Sequence, residues 1–501
     1  MRKVSKNIII ALMSKIFVIL SGVIAQGFIL NSYGSEINGL TSTITQFMSY
    51  FILLEAGLGT ASIQALYKPL VQRDKQGING IINATRIQYM QIGFVFTGLW
   101  IVTSLCIPVI VTSSLEFWFV SATTLLTGIG TIFNYFFIGK YTVLLNADKK
   151  VYIINILDAI IATINCILKV LIINAGYSVI VVQLSAIGTV LLRLLILNIY
   201  FRKNYKFLDK SIMPNKQATK KRWNVLIHNI VGMVTNHTDV IILSVLSTLQ
   251  NVSVYSVYNY IFSNLSSVIQ TAFSNAPLAS FGQMQERKDK NLNAKFQLYE
   301  NIYIMLMHIL LVSTALLTLP FIKLYTSGVK DIDYLDTTVA LLFVLVQYLN
   351  LVRVPSALLI TSGGYFKETQ KGAIIEAIIN LSVSIPMFFV LGLKGLLIGT
   401  VVALTYRSID LVVFAYRNIL QEKKNKFVLM LLNHFMVALL ILFTYRHLIV
   451  IDINNWLTWI TVALITVAFV AFIYLLNMMI MYRSSSKFVW NGVSKLLKQK
   501  R

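Results

Sequence analysis

Four cations stand where a chain rarely tolerates them. Lys15, Arg193, Arg353 and Arg407 fall inside long runs of Ile, Leu, Val, Phe and Ala. In a membrane-spanning helix a central cation costs at least ~2.5 kcal/mol unless it meets water, a carboxylate or an anionic ligand. Lys15 lies roughly 12 Å into its helix, counted from Asn7 at about 1.5 Å per residue. Ser14, Ser21, Gly22, Ala25 and Gln26 share its face, so that face could line a hydrated, positively charged cavity. The opposing reading is a lysine whose stem snorkels to the cytoplasmic interface. Arg86, Lys169 and Lys323 lie near the ends of their runs and read as snorkelling side chains. The acids Asp158, Glu376, Asp239 and Glu55 offer a second chemistry: they could pair with the arginines, or titrate as gating or coupling sites for H+ or Na+. Arg407 and Asp410 are spaced to share one helix face and pair. Arg193 has no acid at that spacing, and Arg353 precedes Pro355, where a kink is expected.

Polar groups recur at helical spacing on three further stripes. The first is Asn38, Ser42, Thr45, Gln46 and Ser49; the second is His228, Gly232, Thr235, Asn236 and Asp239; the third is Asn259, Ser263, Ser266, Ser267, Gln270 and Ser274. Close helix packing explains a single Ser or Thr. Asn, Gln, His and Asp on the same stripes favour a hydrated cavity lined by the first, second, seventh and eighth helices. Enzymatic chemistry has little support. No Gly-x4-Gly-Lys-Ser/Thr loop and no His-Glu-x-x-His helix occurs, and the five histidines are scattered. His237 beside Asp239 could relay a proton or simply be satisfied within its helix. Cys106 and Cys166 form neither a disulfide framework nor a metal spacing. No cofactor is expected; without a nucleotide site, energy must come from an ion gradient, the membrane potential or the substrate's own gradient.

The elements that must hold these residues are set by composition. The chain has 501 residues, 57% hydrophobic and 12% charged, with a mean hydropathy of +0.74. That describes an all-α polytopic membrane protein. Fourteen spans are expected, at 7–31, 37–66, 83–111, 117–138, 152–173, 179–201, 223–247, 253–281, 296–325, 336–361, 372–391, 395–418, 427–445 and 457–481. The loops after odd-numbered spans hold only Lys330, Lys394 and Arg446, whereas the other loops and both termini are basic. The positive-inside rule therefore places both termini in the cytoplasm, in a cytoplasmic membrane. The same loops explain most of the net charge of +24 and need no nucleic-acid partner. The basic start, Met1–Lys6, runs into a span too long for a signal-peptide core, so no cleaved leader is expected.

The stretch 202–222 is basic, contains Pro214 and has no apolar run, so it reads as a linker. It separates a six-helix bundle at 7–201 from another at 223–418; helices thirteen and fourteen (427–481) and a basic amphipathic tail (482–501) follow. The bundles resemble each other in order. Asp158-Ala-Ile-Ile161 matches Glu376-Ala-Ile-Ile379, Ile187-Gly-Thr-Val190 matches Ile398-Gly-Thr-Val401, and Arg193 and Arg407 follow. Lys203-Asn204 and Arg417-Asn418 close the two series. Six spans per unit make these parallel repeats about an axis along the membrane normal.

Tyr33-Gly-Ser-Glu-Ile-Asn-Gly-Leu40, Ile44-Thr-Gln-Phe47, Leu54-Glu-Ala-Gly-Leu-Gly59 and Ala65-Leu-Tyr-Lys-Pro69 resemble the second-helix signature of polysaccharide repeat-unit flippases. These form the Wzx-type branch of the multidrug/oligosaccharidyl-lipid/polysaccharide (MOP) superfamily. Gly364-Tyr-Phe-Lys-Glu-Thr-Gln-Lys371, Glu376, Asn380, Gly399-Thr400, Arg407 and Asp410 resemble its eleventh and twelfth helices. The resemblance implies a MATE-like fold of two six-helix bundles around a cavity open alternately to each side. It also implies a substrate, an oligosaccharide linked through pyrophosphate to undecaprenol, moved to the outer leaflet for capsule, exopolysaccharide or O-antigen synthesis. In that reading Lys15, Arg193, Arg353 and Arg407 contact the pyrophosphate, while Asn38, Gln46, Asn236 and Gln270 contact sugar. Asp239, Glu376, Asp158 and Glu55 serve coupling or gating. A polysaccharide polymerase and glycosyltransferases are the implied partners. The alternatives are a MATE-like drug exporter, which the deep cations disfavour, an exporter of another lipid-linked precursor, and a non-transporting scaffold of a polysaccharide assembly complex.

Overall fold

The computed structural model describes residues 2–55, 57–215, 238–273, 275–448 and 453–482. These are almost entirely helical, and the only extended pairing among them is an isolated bridge between Thr112 and Thr248. They make a multi-pass membrane protein, with eleven helical segments long and apolar enough to cross a bilayer. Fourteen spans were expected, and the difference has identifiable sources. The first segment, Ile10–Glu55, is 46 residues long; at about 1.5 Å per residue it is twice the thickness of a hydrocarbon core. It contains both of the first two expected spans. The seventh span lies mainly outside the described residues, with only 238–246 seen as helix. The eighth is helical but too polar to count. Asn236, His228 and the basic tail also lie outside the described residues.

Helix α1 (Arg2–Phe51) is interrupted at one point, where Gly34 takes φ 83° and ψ 177°. That region is essentially closed to residues bearing a Cβ. Gly34 therefore lets the chain reorient between two spans without a loop. Gly34→Ala should cost ~1–3 kcal/mol, read as a lowered Tm of the purified protein; an unchanged Tm would show that the kink tolerates a side chain. A short turn at Ile52–Glu55 follows α1. Next come α2 (Leu58–Gln72), α3 (Lys75–Ile110), α4 (Phe117–Phe133), α5 (Gly139–Ala147), α6 (Val151–Asn174) and α7 (Val179–Asn204). A π-helical turn, Asn134–Ile138, joins α4 to α5. Then α8 (Leu249–Phe273), α9 (Asn275–Glu286), α10 (Leu292–Tyr325), α11 (Thr337–Val352) and α12 (Val354–Ser362) follow. The described chain continues with α13 (Phe366–Leu391), α14 (Leu393–Phe414), α15 (Asn425–Leu448) and α16 (Trp456–Met481). A second π-helical turn, Ala415–Leu420, extends α14.

The chain divides into two compact units, Met1–Ser256 with Gly328–Ile332, and Val257–Ser327 with Asp333–Arg501. Between transmembrane helices lipid is as apolar as Leu, so packing contacts and hydrogen bonds, not burial alone, hold them together. In the first unit, α3 supplies stacked Phe96 and Trp100, with Phe51 edge-on to both. The buried Trp100 indole donates to the Thr124 carbonyl of α4 at 3.0 Å, which satisfies its one polar atom. The first part of the expected linker is clamped to α3. Asn79 Nδ2 donates to the Phe207 carbonyl, its Oδ1 accepts from Asp209 N, and Asn83 Nδ2 donates to the Asp209 and Ile212 carbonyls, all at 2.8–2.9 Å. In the second unit, Met305, Ile309 and Val312 of α10 pack with Ile441 of α15 and with Val470, Tyr474 and Met478 of α16. His308 of α10 and His434 of α15 sit edge-to-face at 5.0 Å within this contact.

Candidate functional site

Arg353 marks a break in helix. It ends α11, and Pro355 at the start of α12 explains the interruption, because its ring removes a backbone donor. Freed from a continuous helix, the guanidinium reaches Glu376 on α13. Its Nη1 lies 2.8 Å from Glu376 Oε1, and its Nη2 donates to Asn350 Oδ1 at 2.8 Å. The other carboxylate oxygen of Glu376 faces Arg407 Nε of α14 at 3.4 Å. Arg407 Nη1 in turn contacts Asp410 Oδ2 at 2.6 Å and donates to the Thr369 carbonyl at 3.1 Å. Glu376 and Arg407 are both buried. The result is a four-charge cluster of zero formal charge that pins α11, α13 and α14 together. Gly372 leaves room for it: a Cβ there would fall 2.1 Å from Asp410 Oδ2 and 2.5 Å from Arg407 Nη1, so a side chain would displace this pair.

The first unit holds a simpler counterpart. Arg193 Nη2 of α7 pairs with Asp158 Oδ1 of α6 at 2.7 Å, with both side chains partly exposed. Asn165 Nδ2 of α6 donates to Thr189 Oγ1 of α7 at 3.1 Å, and Asn380 Nδ2 of α13 donates to Thr400 Oγ1 of α14 at the same distance. Asp158 and Asn165 are two turns apart, Glu376 and Asn380 one; Thr189 and Arg193 are one turn apart, Thr400 and Arg407 two. These opposite one-turn shifts compensate across an antiparallel pair. Both units therefore keep an ion pair and, separately, an Asn–Thr bond. The Asn–Thr bonds escape a reading that aligns the repeats without gaps.

Lys15 is partly buried and forms no ion pair among the described residues. Gln26, on its face of α1, donates to Asn38 Oδ1 at 3.3 Å, and Asn38 Nδ2 donates to Ser253 Oγ of α8 at 2.6 Å. Asn38 is fully buried in this chain of bonds. Asp239 is buried and accepts from Tyr255 at 3.2 Å. Beside it Thr238 contacts the Tyr50 hydroxyl at 3.0 Å. Gln46 has a buried Nε2 with no hydrogen-bond partner among the described residues, and Gln270 is exposed. Glu55 accepts a short bond from Tyr89, a partner with no periodic signal in the sequence. Part of the polar patterning is local: Thr45, Ser49, Asn264, Ser267 and Thr271 return their bonds to their own helix backbones. Glu300, buried on α10 against the Tyr416 hydroxyl, was not singled out in the sequence, where it lies near the end of a span.

The fold is MATE-like. An inward-facing multidrug resistance MATE family transporter of that superfamily matches with a TM-score of 0.67 at 15% identity, over 83% of this chain and 99% of its own. The lipid II flippase MurJ in an inward closed conformation matches with a TM-score of 0.69 at 14% identity, over 94% of this chain and 100% of its own. A MATE transporter in its bent conformation matches at 0.59 and 16%, over 83% of this chain and 95% of its own. No protein-family model and no curated protein matches the sequence.

Proposed function

We propose that the chain is a flippase that moves an undecaprenyl-pyrophosphate-linked oligosaccharide repeat unit across the cytoplasmic membrane by alternating access. The observation that carries this reading is the extent of the structural match. MurJ covers 94% of this chain and the inward-facing MATE transporter 83%. The likeness to a flippase of a lipid-linked precursor thus extends further along the chain than the likeness to a drug exporter. The signature stretches around Tyr33–Pro69 and Gly364–Asp410 direct the substrate towards repeat units of a surface polysaccharide.

In this reading Lys15 meets the diphosphate directly, because no carboxylate among the described residues neutralises it. Arg353 and Arg407 reach a diphosphate by exchanging Glu376 for it, which makes Glu376 a gate, and Asp158 plays that part for Arg193. Gln46 and Gln270, with Asn236, suit sugar hydroxyls, and Asn38 would reach them only on release from Gln26 and Ser253. Asp239 and Glu55 remain the coupling candidates, for H+ or Na+. Purified protein in proteoliposomes should move a fluorescent undecaprenyl-pyrophosphate oligosaccharide above the rate of empty vesicles. No movement would sink the reading and leave a scaffold, whereas preferential export of a cationic drug would return the chain to the MATE exporters.

A further inference from the structure

Arg86, Lys140 and Lys210 converge on one face of the first unit. Asn79 and Asn83 hold the 207–212 segment on the opening turns of α3 and carry Lys210 there. Arg86 follows one turn beyond Asn83 on the same helix. Tyr89, one turn further, lies so close to Gly139 that a Cβ there would meet its ring at 2.9 Å, and this contact brings in the neighbouring Lys140. Lys140 is within coulombic reach of both Arg86 and Lys210, and its ammonium lies 4.9 Å from the Tyr141 ring centroid. None of the three forms an ion pair among the described residues.

The acids close by in sequence or space are otherwise engaged. Asp209 accepts from the Ser211 backbone and hydroxyl at 2.9 and 2.7 Å, and Glu55 accepts from Tyr89. Arg86 Nε is buried with no hydrogen-bond partner among the described residues. Among the described residues Arg193 Nε is likewise without a hydrogen-bond partner, but Arg193, Arg353 and Arg407 are each matched by a carboxylate, and Arg86 is not. Three mutually repelling cations without carboxylate partners favour an anion that joins them. Beyond Arg86 the same α3 face turns apolar. Met90 and Phe94, one and two turns on, are 36% and 66% exposed, and Phe94 contacts Phe136 with ring centroids 5.0 Å apart.

We propose that Arg86, Lys140 and Lys210 bind the phosphate of an anionic phospholipid whose acyl chain runs along Met90 and the Phe94–Phe136 pair. The charged end and the adjoining apolar track match the two parts of a lipid, whereas a free phosphate would use only the first. The site is separate from the flippase reading and stands whatever the chain transports.

Native mass spectrometry of the intact detergent-purified protein, offered phosphatidylglycerol or phosphatidylcholine, tests it. The wild type should retain phosphatidylglycerol preferentially. Each cation removed should lower retention about fivefold, so that Arg86→Gln/Lys140→Gln loses more than tenfold. Arg86→Lys/Lys140→Arg should keep it, and so should Lys371→Gln, an exposed cation of the second unit. Lys210→Gln, on an exposed side chain, reads the site even if the double variant fails to fold. Undiminished phosphatidylglycerol retention in both Gln variants, or equal retention of phosphatidylcholine by the wild type, would overturn the proposal. Displacement of the lipid by millimolar inorganic phosphate would assign the site to a soluble anion and overturn it too.

Discussion

Glu376→Ala should cost the protein about 3–5 kcal/mol of stability, the penalty for removing one partner of a buried ion pair. Glu376 joins two guanidinium groups, and its side chain is only 6% exposed. Without it, Arg407 keeps Asp410 at 2.6 Å, but among the described residues Arg353 keeps only Asn350. The damage is therefore assigned to one orphaned arginine rather than to the whole cluster. Arg353→Met/Glu376→Met removes the orphan together with its partner, leaves the Arg407–Asp410 pair neutral, and should recover most of the loss. Thermal unfolding of the single and double variants in one detergent measures both. A Glu376→Ala protein within ~1 kcal/mol of the wild type would mean that water already screens the cluster.

For Lys15→Ala the expected result is the reverse: flipping lost by at least about tenfold, with expression and Tm unchanged. Lys15 is partly buried without an ion pair, so its removal leaves no described carboxylate unpartnered. Lys15→Arg should retain transport, because under the proposed function the diphosphate needs a cation there rather than a particular one. Initial flipping rates in proteoliposomes, normalised to reconstituted protein, separate the outcomes. Transport unchanged in Lys15→Ala would restore the snorkelling reading.

Local spacing made some of this architecture legible and left other parts hidden. The Arg407–Asp410 contact follows from a three-residue spacing on one helix, and the break at Arg353 follows from Pro355. The Arg353–Glu376 pair does not, because its members are separated by the rest of α12 and a turn, and no periodicity links them. The sequence offers Asp158 as a partner for the arginines without saying which, and the repeat narrows the choice by setting an acid near the start of one helix and an arginine inside the next. Hydropathy separated the first two spans but could not show that Gly34 alone would divide them. Asn38 was expected on a stripe facing water; it is buried against Ser253, 215 residues away. Any polar residue on a membrane helix must find either water or a partner, and composition does not say which. The clamp on 207–212 was hidden for a related reason: Asn79 precedes the hydrophobic span, Asn83 only opens it, and neither carries a membrane signal.

The balanced cluster has an electrical consequence. Carrying one elementary charge through the full membrane potential takes about 2.3 kcal/mol per 100 mV. Arg353, Glu376, Arg407 and Asp410 together carry none, so if α11, α13 and α14 shift as a body the cluster does no net work against the field. The cluster is electrically silent as long as its pairs stay closed. A gating current or a voltage-dependent rate would then report on charge outside it, on the substrate or on Lys15, or, under the gating role proposed above, on the opening of its own Glu376 pairs.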